Sequence, residues 1–384
     1  MLHTPLQDAI AAAADATRPL RLAEYRGATV AAAFDDPQVE LAALLSGCGV
    51  YDLGFRARIS LTGGDRVRWL NGMVTNNIRD LATGQGIYAF LLNPQGHILG
   101  DLHAYNLGEA LIVETDRSQV EKILATFDHY IIMDDVEVTN LSDQLTAVGV
   151  CGPMSRAVLQ AAGMQFPELE PLKFFAVQCD CECGCVECTI VRGEGALRDS
   201  YEIWLATAQV KQLWDSLLKA GATPAGSEVL ETRRILAGIP LYGADIRERD
   251  LPQETGQMRA LNFNKGCYVG QEIVERIRSR GSVHRKFTGF ASQTGGEIAP
   301  GAKVLVGEKE VGEVTSATSL NAAARNGASK SVALGYIRRE HAAARTEVTI
   351  AGAKAWVVEL PLRERAATDA EKPAGAKVST SSVN

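Results

Sequence analysis

The residues best placed to do chemistry are gathered in the run Asn264-Lys265-Gly266-Cys267-Tyr268-Val269-Gly270-Gln271-Glu272. A thiolate acts as nucleophile, redox group or metal ligand, and a nearby cation favours it over the thiol. Lys265, two residues before Cys267, is the cation in this run. Gly266 and Gly270 permit a tight backbone path that a β-carbon would block. The surroundings of Cys267 are polar, unlike the apolar run around most buried cysteines. The alternative is a glycine-bounded turn whose cysteine merely packs as a small hydrophobe.

Cys179, Cys181, Cys183, Cys185 and Cys188 form a second group. Spacing of two residues puts the first four on one face of a strand, and in a loop the same steps could wrap a soft metal. The spacing is not the paired C-x2-C zinc pattern and no histidine lies nearby, so a hairpin that tolerates cysteine is the commoner origin. We assign no resident metal. The basic run Arg276, Arg278, Arg280, His284, Arg285 and Lys286 reads first as a solvated face and second as a site for a polyanionic ligand tail. Only Tyr268 and Phe287 flank it as stacking partners, so direct nucleic-acid binding is not expected. Gly63-Gly64 and Gly193-Glu194-Gly195 lack the spacing of a phosphate loop or a dinucleotide fingerprint.

The elements that must position these residues follow from periodicity. Ile59–Thr62 reads as a strand, and Asp65 as the N-cap of a helix through Trp69 and Leu70. Tyr88–Leu92 and Ile98–Tyr105 read as paired strands joined by the turn Asn93-Pro94-Gln95-Gly96. Ser118–Tyr130 is an amphipathic helix. The theme repeats with strand Thr146–Val150, helix Ser155–Ala162, strand Tyr201–Leu205 and helix Gln209–Ala220. The chain thus divides into a lead-in (1–24), a first α+β domain (25–143), a second (144–228), a connecting segment with the Cys267 run (229–282), a C-terminal β-barrel (283–362) and a disordered tail (366–384). With 384 residues, 46% hydrophobic and 22% charged, each domain can bury a core. A net charge of −7 offers no global basic field for nucleic acid or anionic membrane. No apolar run is long enough to span a bilayer. The alanine run near residue 11 is flanked by Asp8 and Asp15 rather than by a basic front, so we expect a cytoplasmic protein whose cysteines are thiols or ligands rather than disulfides.

Lys265–Glu272 resembles the K-G-C-Y-x-G-Q-E signature of the YgfZ-type folate-binding proteins. These are relatives of the glycine-cleavage T-protein (aminomethyltransferase), and the mitochondrial iron–sulfur assembly factor IBA is in the same group. The likeness extends to Leu251-Pro252-Gln253-Glu254, Gly49-Val50-Tyr51-Asp52-Leu53, Gly84–Tyr88, Leu92–Gly96, Gly312–Ser316 and Ala333–Ile337, over roughly residues 25 to 362. It implies an α+β fold: two ferredoxin-like antiparallel units and a small C-terminal β-barrel, arranged as three domains around a central folate channel. It also implies tetrahydrofolate, or a derivative, as the bound cofactor. The family's folate-contacting tyrosine and aspartate, thirteen positions apart, fall on Tyr88 and Asp101. Its glutamate falls on Glu202, its arginine on Arg234, and Tyr242 is a further candidate. In catalytic roles the resemblance points to Asp101, Cys267 and Lys265.

Departures from the T-protein pattern weigh on the function. Gly100 stands where a second acid is usual, Leu236 replaces a glutamate in the arginine motif, and the T-protein lacks the cysteine signature. These departures favour a YgfZ-type role, tetrahydrofolate-linked support of iron–sulfur cluster assembly or repair, with iron–sulfur enzymes as clients and tRNA modification downstream. The alternatives are a folate-dependent aminomethyltransferase and a non-catalytic scaffold.

Overall fold

The structure is a computed structural model that describes residues 2–13, 20–181, 184–194, 199–281, 283–292, 298–320 and 330–362. The chain forms two compact units, one of residues 1–234 with 240–286, the other of residues 235–239 with 287 onward.

In the first unit, helix α1 (Pro5–Ala13) precedes a hairpin, β1 (Arg21–Tyr25) with β2 (Ala28–Ala33), then α2 (Pro37–Ser46) and strand β3 (Gly49–Asp52). Asp36 caps α2, accepting from the Gln38 amide at 2.7 Å, with Pro37 at the first helical position. A five-stranded antiparallel sheet follows: β4 (Arg56–Thr62), β5 (Gln85–Leu92), β6 (Ile98–Asn106), β7 (Leu111–Asp116) and β8 (Glu137–Asn140), in the order β5-β6-β7-β4-β8. Helices α3 (Arg66–Met73) and α4 (Val120–Tyr130) supply Trp69, Leu70, Ile123 and Phe127 to the core on one face of this sheet. Asp65 precedes α3 as expected but does not cap it. Its carboxylate accepts instead from the Asp135 amide (3.0 Å) and the Arg68 Nε (3.2 Å).

The second sheet contains β9 (Leu145–Cys151), β10 (Phe174–Cys181), β11 (Gly184–Arg192), β12 (Ser200–Ala206) and β13 (Thr223–Pro224), with β3 returning between β9 and β13. Its order is β10-β11-β12-β9-β3-β13, antiparallel except for the short parallel β13–β3 pair. Helices α5 (Ser155–Ala161) and α6 (Val210–Lys219) cover its outer face, where Leu159, Leu213 and Trp214 meet Val148, Val150 and Ile203. Leu6 of α1 is wholly buried in the same core, so the lead-in is anchored. The cysteine-rich run lies at the β10–β11 hairpin. Cys188 is buried in that core, while Cys183 and the side chains of Cys179, Cys181 and Cys185 lie outside the described residues. The unit ends with α7 (Ser227–Ala237), whose last residues belong to the second unit, and α8 (Gln271–Arg280).

The second unit holds a closed six-stranded barrel of β14 (Arg285–Ser292, in this unit from Phe287), β15 (Lys303–Val306), β16 (Lys309–Leu320), β17 (Lys330–Arg338), β18 (Glu347–Ile350) and β19 (Ala353–Val358). Phe290, Val304, Val314, Ile337 and Val357 fill its interior. Residues 366–384, expected to form a tail, lie outside the described residues. No described helix is long and apolar enough to cross a membrane.

Candidate functional site

Strand alternation decides what faces the space between the two sheets. Ile59, Leu61, Ala89, Leu91, Leu102, Ala104 and Val113 point to the helix-covered core of the first sheet. Arg56 and Arg58 of β4, Tyr88 of β5, Asp101, His103 and Tyr105 of β6, and Glu114 and Asp116 of β7 therefore share the opposite face. On β12, Tyr201, Ile203 and Leu205 enter the outer core, which turns Glu202 and Trp204 towards the first sheet. Tyr105 meets Trp204 edge to face at 4.9 Å, and the Arg58 guanidinium lies over the same indole at 4.7 Å.

Asp101 is held by side chains of two elements. The register sets Tyr88 opposite His103 and Phe90 opposite Asp101, so Tyr88 and Asp101 are diagonal neighbours on one face. The Tyr88 hydroxyl donates to Asp101 Oδ2 at 2.8 Å and Gln119 Nε2 donates to Oδ1 at 2.8 Å. Gln119 Oε1 also accepts from the Asp101 amide at 3.0 Å, so one carboxamide fixes both backbone and side chain. A carboxylate has about four acceptor positions, so each oxygen keeps capacity for a ligand donor. Burial and the neighbouring Asp101 charge push the Tyr88 hydroxyl well above its ordinary range, which keeps it a donor.

Glu202 stands across from this group. It accepts from the Trp204 indole N–H at 3.1 Å, and Arg58 NH2 is 3.9 Å from Oε2. Burial first, and then the Glu114 charge, push its carboxyl up to about 7, against the pull of Arg56 and Arg58. Glu114 is the reverse case. Burial opposes its ionisation too, but Arg56 and Arg58 at 3.2 and 2.8 Å hold it well below the usual carboxylate range. A pair of acids whose environments drive their proton affinities apart marks a site able to bind and exchange protons.

Beside Tyr88 lies a second polar group. Arg259 stacks on the Tyr88 ring at 4.8 Å and pairs with Glu194. His103 Nε2 is 3.5 Å from Glu194 and its Nδ1 is 3.3 Å from Arg56 NH2. Gln119, His103, Glu194, Arg259, Arg56, Arg58 and Glu114 were not among the sequence candidates. The signal that could have found them is the charge at alternate positions (Arg56 and Arg58, Glu114 and Asp116) in strands whose other face is apolar.

The remaining candidates fall elsewhere. Arg234 is not grouped with Asp101 and Glu202. It is 4% exposed and already bound, to Asp245 at 2.6 Å and to Glu231 through Nε at 2.9 Å. Tyr242 donates to the Leu99 carbonyl at 2.5 Å and accepts from Lys122 at 3.2 Å, on the flank of β6. Lys265 does not serve Cys267 as the sequence suggests. Its ammonium is buried and donates to the carbonyls of Asn71, Val74 and Asn76 at 2.5, 2.6 and 2.7 Å, which takes all three of its protons. Burial pulls that ammonium down to about 7. Cys267 itself is an exposed, free thiol. A pocket of about 210 Å³ lined by Ile10, Phe34, Trp214 and Leu218 is unrelated to the acids, sitting on the outer, helix-covered side of the second sheet. Among the described residues no cluster of three or more His, Cys, Asp or Glu side chains could hold a metal.

Two stacked sheets followed by a closed barrel, with an aspartate–tyrosine pair on one sheet and a glutamate on the facing one, define the class: a multidomain α+β protein with an acidic site between its sheets. The fold matches the crystal structure of the glycine cleavage system aminomethyltransferase T from Bartonella henselae, with a TM-score of 0.81 and 23% identity over 94% of this chain and 97% of that one. The family model of the GCVT N-terminal domain matches residues 2–265. An aminomethyltransferase of Rubrobacter xylanophilus is 30% identical over 301 residues, 78% of this chain and 79% of that protein. One from Alkaliphilus oremlandii is 28% identical over 335 residues, 86% and 89% respectively. The chain belongs to the GCVT family, which binds tetrahydrofolate.

Proposed function

We propose that this protein binds tetrahydrofolate between Asp101 and Glu202 and uses it in one-carbon transfer of the aminomethyltransferase type. The carrying observation is the placement of two incompletely satisfied carboxyl groups, Asp101 and Glu202, on facing sheets. The residues suit the ligand: a pterin ring carries adjacent N–H donors that a carboxylate receives in pairs. When bound, tetrahydrofolate supplies the nitrogen that carries the one-carbon unit. Glu202 would receive the N–H edge. Asp101, held by Tyr88 and Gln119, would orient the ligand and accept or return a proton at Oδ1 or Oδ2. The Glu194–Arg259 pair would cover the Tyr88 side. Arg234 has no part in this reading, since Glu231 and Asp245 occupy it.

Calorimetric titration with tetrahydrofolate tests the proposal. Wild type should bind saturably, and Asp101→Ala and Glu202→Ala should each weaken binding at least about tenfold, the loss of one charge-assisted hydrogen bond or more. Asp101→Asn should abolish aminomethyl turnover while leaving measurable binding. Absence of binding by the wild type would end the folate reading and leave a non-catalytic scaffold.

A second reading is favoured by one specific observation, the exposed thiol of Cys267 inside the signature that resembles the YgfZ-type proteins. In it the folate site supports iron–sulfur cluster assembly or repair in the cytoplasm, with iron–sulfur enzymes as clients and tRNA modification as a consequence. Cys267→Ala is then expected to keep folate affinity and lose the ability to sustain an iron–sulfur enzyme in cells. Full support by that variant would exclude the second reading.

A further inference from the structure

The charged residues between the two sheets share partners unevenly. Glu114, with a side chain 1% exposed, accepts from both Arg56 and Arg58. Asp116 accepts from Arg56 at 2.6 Å and lies 3.6 Å from Arg26. Glu202, 23% exposed, has the Trp204 indole at 3.1 Å and Arg58 at 3.9 Å, beyond hydrogen-bond reach. Tyr51 and Tyr105 also face it, and both stay protonated because burial pushes their hydroxyls up. Arg58 links the two acids. It is wholly buried, ion-paired to Glu114 and stacked on the indole that holds Glu202, and its Nε has no partner among the described residues.

We propose that Arg58 is a positioning residue for Glu202: anchored by Glu114 and stacked on Trp204, it makes Glu202 the member of the cluster that exchanges a proton when a ligand binds. This rests on the folate reading above. A ring edge with adjacent N–H donors is received by a carboxylate, whereas the O–H of a neutral carboxyl opposes it. Glu202 therefore binds as the carboxylate, and its proton leaves to the buffer. The direction agrees with the forces on the free site: burial and Glu114 favour the proton, Arg56 and Arg58 oppose it. Glu114 and Arg58 must then act in opposite senses on Glu202, which a merely structural role would not produce.

The test is calorimetry with tetrahydrofolate from pH 6 to pH 8.5, in buffers of different ionisation heat, so that released protons are counted. Wild type should release about one proton at pH 6 and almost none at pH 8.5, with affinity falling about tenfold per pH unit below the midpoint. In Glu202→Gln the release should vanish. Glu114→Gln frees both arginines for Glu202 and should move the midpoint down. Arg58→Met should move it up, weakening binding about tenfold near pH 6 while sparing it at pH 8.5. If Arg58→Met does not fold by circular dichroism, Glu114→Gln and Glu202→Gln decide. Binding without proton release, or midpoints that move together, overturns the inference and leaves the folate reading standing. No binding at all removes both.

Discussion

Glu202 carries a carboxyl that the fold prefers neutral. Its folded value, about 7, is raised above an unfolded value near 4.3. A raised carboxyl costs nothing while both states are protonated, so its penalty is absent below about pH 4 and complete above pH 7. Glu202→Gln, which never ionises, should therefore gain stability over wild type as pH rises from 5 to 8, by roughly 1–3 kcal/mol at pH 8. Urea denaturation at the two pH values reads this directly, and an equal difference at both would contradict it. Lys265 makes the opposite case. Its ammonium satisfies three carbonyls at the end of α3 and just beyond it, and removing it leaves them without that donor. Lys265→Met should cost about 2–4 kcal/mol in urea denaturation. The same variant should leave the alkylation rate of Cys267 within about twofold of wild type, because the ammonium is committed elsewhere.

The glycines around Cys267 differ in what they do for their elements. Gly270 has φ +81°, and a β-carbon there would lie 2.5 Å from the Asn93 carbonyl oxygen, where α8 starts against the β5–β6 turn. Gly266 meets nothing within 4 Å. Gly270→Ala should therefore lose about 2 kcal/mol or more through backbone strain and the clash, while Gly266→Ala should stay within about 0.5 kcal/mol of wild type. Thermal melts of the two variants separate these expectations. The strands and helices were legible because hydrophobic period announces them: β5, β6, β9, β12, α4 and α6 lie within a few residues of where alternation and amphipathicity put them. The Tyr88–Asp101 contact was legible through the resemblance and is supported by the hairpin register. The partners of Lys265 were not, since Asn71, Val74 and Asn76 lie some 190 residues away and no local pattern encodes such a pairing. The partners of Arg234 were hidden for the same reason. Its motif is local, but Asp245, which claims its guanidinium, is brought in by the turn that follows Pro240.

At the scale of the molecule, residues 235–239 belong to the barrel's unit although 240–286 intervene in sequence. The Leu362 amide donates to the Leu236 carbonyl at 2.9 Å, and Leu360 packs against Gly238. A chain cut after Lys286 loses these partners while keeping Leu236 and Ala237. Its melting midpoint should fall by roughly 2 °C or more, the equivalent of at least about 1 kcal/mol. An unchanged midpoint in scanning calorimetry would show that 235–239 need no barrel.

The strand order of the second sheet also sets a timetable. The first sheet draws on one continuous stretch, Arg56 to Asn140, and can close as soon as that stretch has left the ribosome. β3, made earlier, cannot: its neighbours are β9 and β13, and the latter ends at Pro224. At about 5–20 residues per second the second sheet is completed roughly 4–17 s after the first. Through that interval Val50 and Tyr51, both buried in the finished protein, have no complete sheet to join. β9 can pair with β3 once Cys151 has emerged, so the nascent chain is a folded first sheet carrying an incomplete second one, and that open apolar sheet is where a ribosome-associated chaperone would be needed most.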